Sequence, residues 1–239
     1  MMSEDMARVV SLLQVRSGPG GVDDVIEAGC EVLGVHGLAV SLVVPGIGLE
    51  PVSCSGKQAQ MFGDLQFTLG EGPSVDAAHK GRAVSVADLA GERADRWPLL
   101  LRETAGIRVR SVFCFPLTIG AIRVGVLTAT RRQVSALTRQ QSDDALALTA
   151  TLTHLYLSSE PDHHEITPHE DFHHMVVHQA TGMLSVQLGT SLAQALLRLR
   201  AHAYGQNRPI TDIAQDIVDR RLRLSPPTDG ELAPTEDKD

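Results

Sequence analysis

Apolar and polar positions follow one rhythm at the start of this chain, a second through its middle and a third near its end. Residues 4–15 carry a helical period, and the Ser-Gly-Pro-Gly-Gly stretch at 17–21 breaks it. Residues 22–33 resume it, with Val22, Val25, Ile26, Val32 and Leu33 apolar and Asp23 or Asp24 near the start, the pattern of an amphipathic helix. The period then shortens. A β-branched run at 38–44, a Pro-Gly-Ile-Gly turn at 45–48 and a return at 49–55 predict strand, turn, strand. Residues 57–69 are helical in pattern. The stretch 70–89 holds a Gly-Pro break, a short helix and a strand at 83–86, and 96–106 reads as another helix. Residues 109–130 give two long strands around Ile-Gly, most simply an antiparallel hairpin. A long helix at 137–157 follows, with Leu137, Ala145, Leu148, Leu152 and Leu155 favouring one face.

The third rhythm is wholly helical. Residues 158–168 contain two prolines, charge and no period, and mark a domain boundary. Helix one is expected over about 169–188, with Phe172, Val176, Met183 and Val186 near one face. Helix two is expected over about 191–204, capped by Ser191 or Thr190, with Leu192, Ala195, Leu196, Leu199 and Ala203 on its stripe. Helix three is expected over about 209–222, with Pro209 in its first turn and Ile210, Ile213, Ala214, Ile217 and Val218 inward. Interleaved strands and helices with hairpin pairing imply an α+β first domain with an antiparallel sheet, and the 55 or so residues after the boundary imply an all-α three-helix bundle. The expected organisation is an N-terminal helical extension at 1–19, a first domain at 20–157, a linker at 158–168, a bundle at 169–224 and a disordered acidic tail at 225–239.

Composition narrows the function. The net charge of −8 argues against general affinity for polyanions. It is unevenly spread: residues 225–239 hold five acids and one Lys, whereas 168–224 hold six Arg against five acids, with five His besides. Nucleic-acid binding by the bundle is therefore permitted but not announced. Three widely spaced cysteines, Cys30, Cys54 and Cys114, suit neither a disulfide framework nor a zinc knuckle and point to a reducing cytoplasm. No apolar run has the length of a membrane span, and the N-terminus does not read as a signal peptide.

No enzyme is expected. The Gly-rich stretches match neither G-x-G-x-x-G nor G-x-x-x-x-G-K-[ST], and Ser53, Ser55 and Ser74 lack a G-x-S-x-G setting. His163, His164, His169, His173, His174 and His178 include two i, i+4 pairs, but no H-E-x-x-H sets up a zinc site, and a solvated helix start explains them as well. Cys114 in an apolar strand reads as a core cysteine or a ligand-linked thiol. Trp97, the only tryptophan, reads as a core anchor or the wall of a small-molecule site. The break between helices two and three, with Arg220 and Arg221 beyond, fits a DNA-reading turn, an RNA-binding bundle or a dimerising tail. Asp212, Asp216 and Asp219 on helix three count against the first.

Residues 178–218 resemble the ANTAR domain of bacterial antiterminators. Gln179, Ala180, Gly182 and Leu184 match its first block, Ala195, Leu199 and Arg200 its second, and Asn207, Asp212, Ala214, Ile217 and Val218 its third. The departures fall at polar positions: Thr181 stands for a Lys, Gln187 for an Arg, Ala203 for a Ser, and Pro209 and Thr211 for a Lys and an Arg. Residues 70–89, 96–98 and 109–131 resemble the GAF sensor of the actinobacterial type found with ANTAR, with Ser74 where relatives often have Cys. The resemblance implies a cytoplasmic, signal-responsive antitermination regulator. Its bundle would hold paired RNA hairpins as a dimer, through Thr181, Arg200, Tyr204, Asn207 and Arg208. Dimer contacts would come from 137–157 or 169–188. Its GAF site would involve Ser74, Trp97 and Cys114, take a small ligand or partner, and carry neither metal nor covalent cofactor. The alternative is a dimerisation or protein-interaction regulator whose RNA site has decayed.

Overall fold

The computed structural model describes residues 1–15, 19–158 and 174–224. The chain forms two compact units, divided between His173 and His174. The expected linker at 158–168 and tail at 225–239 lie almost wholly outside the described residues, as do Phe172 and the first residues of the expected helix one.

The first unit is built on a five-stranded antiparallel sheet in the order β2-β1-β5-β4-β3. Its strands are β1 (Gly37–Val44), β2 (Gly48–Ser55), β3 (Val84–Val86), β4 (Ser111–Ile119) and β5 (Ile122–Arg131). Both faces are covered, which explains why β4 reads as an unbroken apolar run. Its residues alternate between two cores. Phe113, Phe115 and Leu117 join Leu127 and Ala129 of β5 against α1 (Glu4–Val15), α2 (Pro19–Leu33) and α6 (Arg139–Ser158). Val112 and Cys114 join Val126 against α3 (Lys57–Leu69), α4 (Pro73–Lys80) and α5 (Pro98–Glu103).

The N-terminal helix is not an extension of this unit. Met6, Val9 and Leu13 of α1 are buried in the same core as α2 and α6, and Ser3 N–H donates to Asp144 Oδ1 at 2.7 Å. Its apolar stripe needs a partner, and the neighbouring helices supply one. Arg131 then ties the layers together. Its guanidinium donates to the carbonyls of Leu33 and Gly34, each at 3.1 Å, and so satisfies the orphan C-terminal end of α2.

The second unit is an all-α bundle of α7 (Met175–Leu188), α8 (Leu192–Gly205) and α9 (Ile210–Val218). Its core is Val177, Ala180, Thr181 and Leu184 from α7, Ala195, Leu196, Leu199 and Ala203 from α8, and Ile210, Ile213, Ala214 and Ile217 from α9. The face expected for the first of these helices is displaced. Val176 and Met183 are only partly buried, and Val186 is 86% exposed. The inward stripe at i, i+3, i+4 and i+7 includes small Ala180 and Thr181, so side-chain size misidentified it. Leu192 is likewise exposed rather than inward. α9 is also shorter than expected, ending at Val218.

Candidate nucleic-acid interface

α8 starts at a capping box: Ser191 Oγ accepts the Gln194 N–H at 3.3 Å, and Gln194 Oε1 accepts the Ser191 N–H at 3.2 Å. It ends in a Schellman turn. Arg208 N donates to Ala203 O at 3.1 Å and Asn207 N to Tyr204 O at 3.0 Å, with Asn207 in the left-handed region at φ 52°. Asn207 is therefore the residue that stops the helix. Its exposed side chain takes no part in those backbone bonds, so the turn leaves that amide open to solvent. Tyr204, 41% exposed, and Arg208 flank it on the same turn.

α9 ends the same way. Arg221 N donates to Asp216 O at 2.8 Å and Arg220 N to Ile217 O at 3.0 Å, and Arg220 holds φ 60°. This second turn carries Arg221 back to the first. Arg208 Nη2 lies 2.8 Å from Asp216 Oδ2, Arg221 Nε lies 3.0 Å from Asp216 Oδ1, and Arg221 Nη2 lies 2.8 Å from Asp219 Oδ2. Hydrogen bonds from Arg208 and then Arg221 hold the Asp216 carboxyl below the usual carboxylate range. The bond to Asp216 in turn raises Arg221. The pairing of Arg208 with Asp216 crosses a helix turn and has no spacing signal in the sequence, which is why Asp216 did not stand out as a site residue.

The remaining expected contacts are placed differently. Thr181 is wholly buried, and its hydroxyl donates to Val177 O at 2.7 Å within its own helix. It packs the bundle, because its helix position lies on the inward stripe, and is not on the surface. Arg200 is half-buried, and desolvation lowers its guanidinium to about 10, so it stays charged near neutral pH. Tyr204, Asn207 and Arg208 thus come together on the surface, and Thr181 does not join them.

In the first unit Ser74, Trp97 and Cys114 are all buried, and Trp97 and Cys114 share one apolar cluster. Gln66 Nε2 donates to Ser74 Oγ at 3.0 Å, while Ser74 N donates to Gln66 Oε1 at 2.9 Å. Ser74 Oγ also lies 3.0 Å from Thr128 Oγ1 and 3.5 Å from Cys114 Sγ. Gly72, at φ 136°, makes room for this: a Cβ there would collide with the Gln66 side chain. Burial pushes the Cys114 thiol up to about 12, a setting that leaves it unreactive. Arg96 stacks over the Trp97 ring at 4.1 Å. Sequence reasoning named Ser74 and Cys114 but not Gln66 or Thr128, since no spacing links a helix to the strand it packs on. Of the six histidines at 163–178, His174 and His178 lie among the described residues, and no cluster there has three metal-ligating side chains. No described helix is long and apolar enough to cross a membrane.

Residues 173–218 match the family model of the ANTAR domain. The structure is similar to solved GAF domains. That of an Acinetobacter phosphoenolpyruvate-protein phosphotransferase is 14% identical with a TM-score of 0.50, covering 65% of this chain and 95% of that one. That of a phosphoenolpyruvate-protein phosphotransferase from Coxiella burnetii is 13% identical with a TM-score of 0.51, covering 64% and 93%. The phycocyanobilin-bound GAF domain of a cyanobacterial phytochrome is 12% identical with a TM-score of 0.51, covering 69% and 100%. At these identities the likeness is one of fold. No curated protein matches the chain. A GAF-type fold followed by an ANTAR domain is the architecture.

Proposed function

We propose, from a GAF-type fold joined to an ANTAR domain, a signal-responsive regulator that acts by transcription antitermination. The GAF unit senses a small ligand or partner, and the ANTAR unit binds paired hairpins in nascent RNA as a homodimer in the cytoplasm. The observation that carries the reading is the coincidence of the ANTAR match with a compact three-helix unit. On that unit an aromatic ring, a side-chain amide and a guanidinium, those of Tyr204, Asn207 and Arg208, share one exposed turn. Such a set suits splayed RNA bases, which are read by stacking and edge hydrogen bonds rather than by bulk charge. Leu146 and Leu157, 53% and 44% exposed on α6, favour helix pairing between copies.

Crosslinking the protein to RNA in cells and sequencing what is recovered tests the reading. Paired hairpins upstream of terminators are the expected product; equal recovery of unrelated RNA of the same length overturns it. Light scattering at micromolar concentration is expected to give a dimer, and a monomer removes that part. A second reading, a dimerisation or protein-interaction regulator with a decayed RNA site, is favoured by the burial of Thr181 and by the engagement of Arg208 with Asp216. It takes over if hairpin RNA is not preferred.

A further inference from the structure

The ion pairs at the end of the bundle bear on how RNA would be held. Arg208 and Arg221 leave the chain on either side of α9, yet both reach the carboxylate of Asp216, one to each oxygen. Planar guanidinium groups fit a carboxylate and a phosphate in the same way. The two arginine side chains are 45% and 61% exposed and Asp216 only 21%, so the cations lie over the carboxylate and remain open to a ligand. Arg220 stands beside them in a left-handed turn where glycine would cost less backbone strain, which adds a third cation to the same end of the bundle.

We propose that Arg208 and Arg221 form a clamp for a backbone phosphate of the RNA, and that Asp216 fills this clamp in the free protein as an internal phosphate mimic. The proposal rests on the RNA reading above. Asp216 sets affinity by competition: its charge repels the incoming phosphate and holds Arg208 and, together with Asp219, Arg221 until RNA replaces it. Between residues 208 and 223 the four arginines exceed the three aspartates by one charge, and removal of the Asp216 charge doubles that excess. The clamp carries no base information. It strengthens every RNA alike, unlike the Asn207 amide beside it.

The substitution Asp216→Asn keeps the shape and removes the charge. The full-length protein is titrated by fluorescence anisotropy against a labelled pool of two-hairpin RNAs with randomised loops, across a salt series. Asp216→Asn is expected to bind about tenfold more tightly at low salt and to steepen the salt slope by roughly one unit. Arg208→Gln and Arg221→Gln are expected to weaken binding, and Arg208→Gln should abolish the gain when combined with Asp216→Asn. Circular dichroism and the thermal midpoint establish that each variant is folded. If wild type binds the pool and Asp216→Asn binds it no more tightly, the mimic is overturned while the RNA reading stands. If no protein binds the pool, the RNA reading and the clamp fall together.

Discussion

The hydrogen bonds of Gln66, Ser74, Thr128 and Cys114 are sealed between a sheet and its helices, whereas those of Arg208, Asp216, Asp219 and Arg221 face water. In the sealed cluster every partner comes from within the protein and no solvent can replace it, so loss of a member weakens the bonding of the buried groups around it. In the open cluster solvent competes for every bond, and exposed ion pairs add little to folding. The first cluster is therefore fixed and the second exchangeable. A surface that trades its partners for RNA, as proposed for Arg208 and Arg221, needs the second kind. A sheet that must hold α4 in register needs the first.

The largest effect expected from breaking this contrast is at Gln66. Gln66→Ala removes both bonds to Ser74 and opens a void beneath α4. It should destabilise the first unit by about 2–4 kcal/mol, the range for a buried polar loss combined with a cavity. Trp97 is the only tryptophan and lies in this unit, so urea unfolding followed by its fluorescence reports on that unit alone. Hairpin affinity of the folded variant should be unchanged. A shift in unfolding below about 0.5 kcal/mol would show that the cluster is not structural.

The next effect is at Asn207, where two substitutions separate folding from the proposed recognition. Asn207→Ala places a Cβ without a local hydrogen-bonding group in the left-handed region and should cost the bundle about 1 kcal/mol. Asn207→Gly fits the same turn and should cost almost nothing. Both remove the amide. If that amide reads a base edge, both weaken hairpin affinity by about 1–3 kcal/mol, to the same extent. Thermal melting by circular dichroism, paired with anisotropy titration, checks the two quantities. Weakened binding in the alanine variant alone would mark Asn207 as a helix stop and nothing more.

The same contrast separates what the sequence disclosed from what it hid. The α+β order, the β4–β5 hairpin and the α8 cap follow from local period and turn chemistry, which a linear chain displays. So did the turn bearing Asn207 and Arg208, because helix-stop residues announce themselves. The inward face of α7 did not. Its buried stripe uses alanine and threonine, while large Val186 faces solvent, and burial there is decided by how closely α8 and α9 approach. The docking of α1 was hidden for a related reason, since a short amphipathic helix carries no sign of which core it joins. Gln66 with Thr128 and Arg208 with Asp216 were hidden because each pair is made by tertiary packing alone.

The smallest effect is at Arg220, and it sharpens the exchangeable side of the comparison. Its backbone at φ 60° places a Cβ where it crowds the following carbonyl, a strain that glycine lacks. Glycine in turn gives up more conformational freedom on folding, which offsets part of the relief. Arg220→Gly should therefore stabilise the bundle by no more than about 0.5 kcal/mol, read as a small rise in the circular dichroism melting midpoint. The Schellman bonds from Arg220 and Arg221 to Ile217 and Asp216 are made by backbone and should survive. If the arginine side chain serves the RNA surface, the same substitution lowers hairpin affinity across all loop sequences and flattens the salt slope by roughly one unit. A protein that melts higher and binds more weakly would show strain retained in exchange for a cation. A protein that melts higher and binds equally well would remove Arg220 from the interface and leave Arg208 and Arg221 as its charged pair.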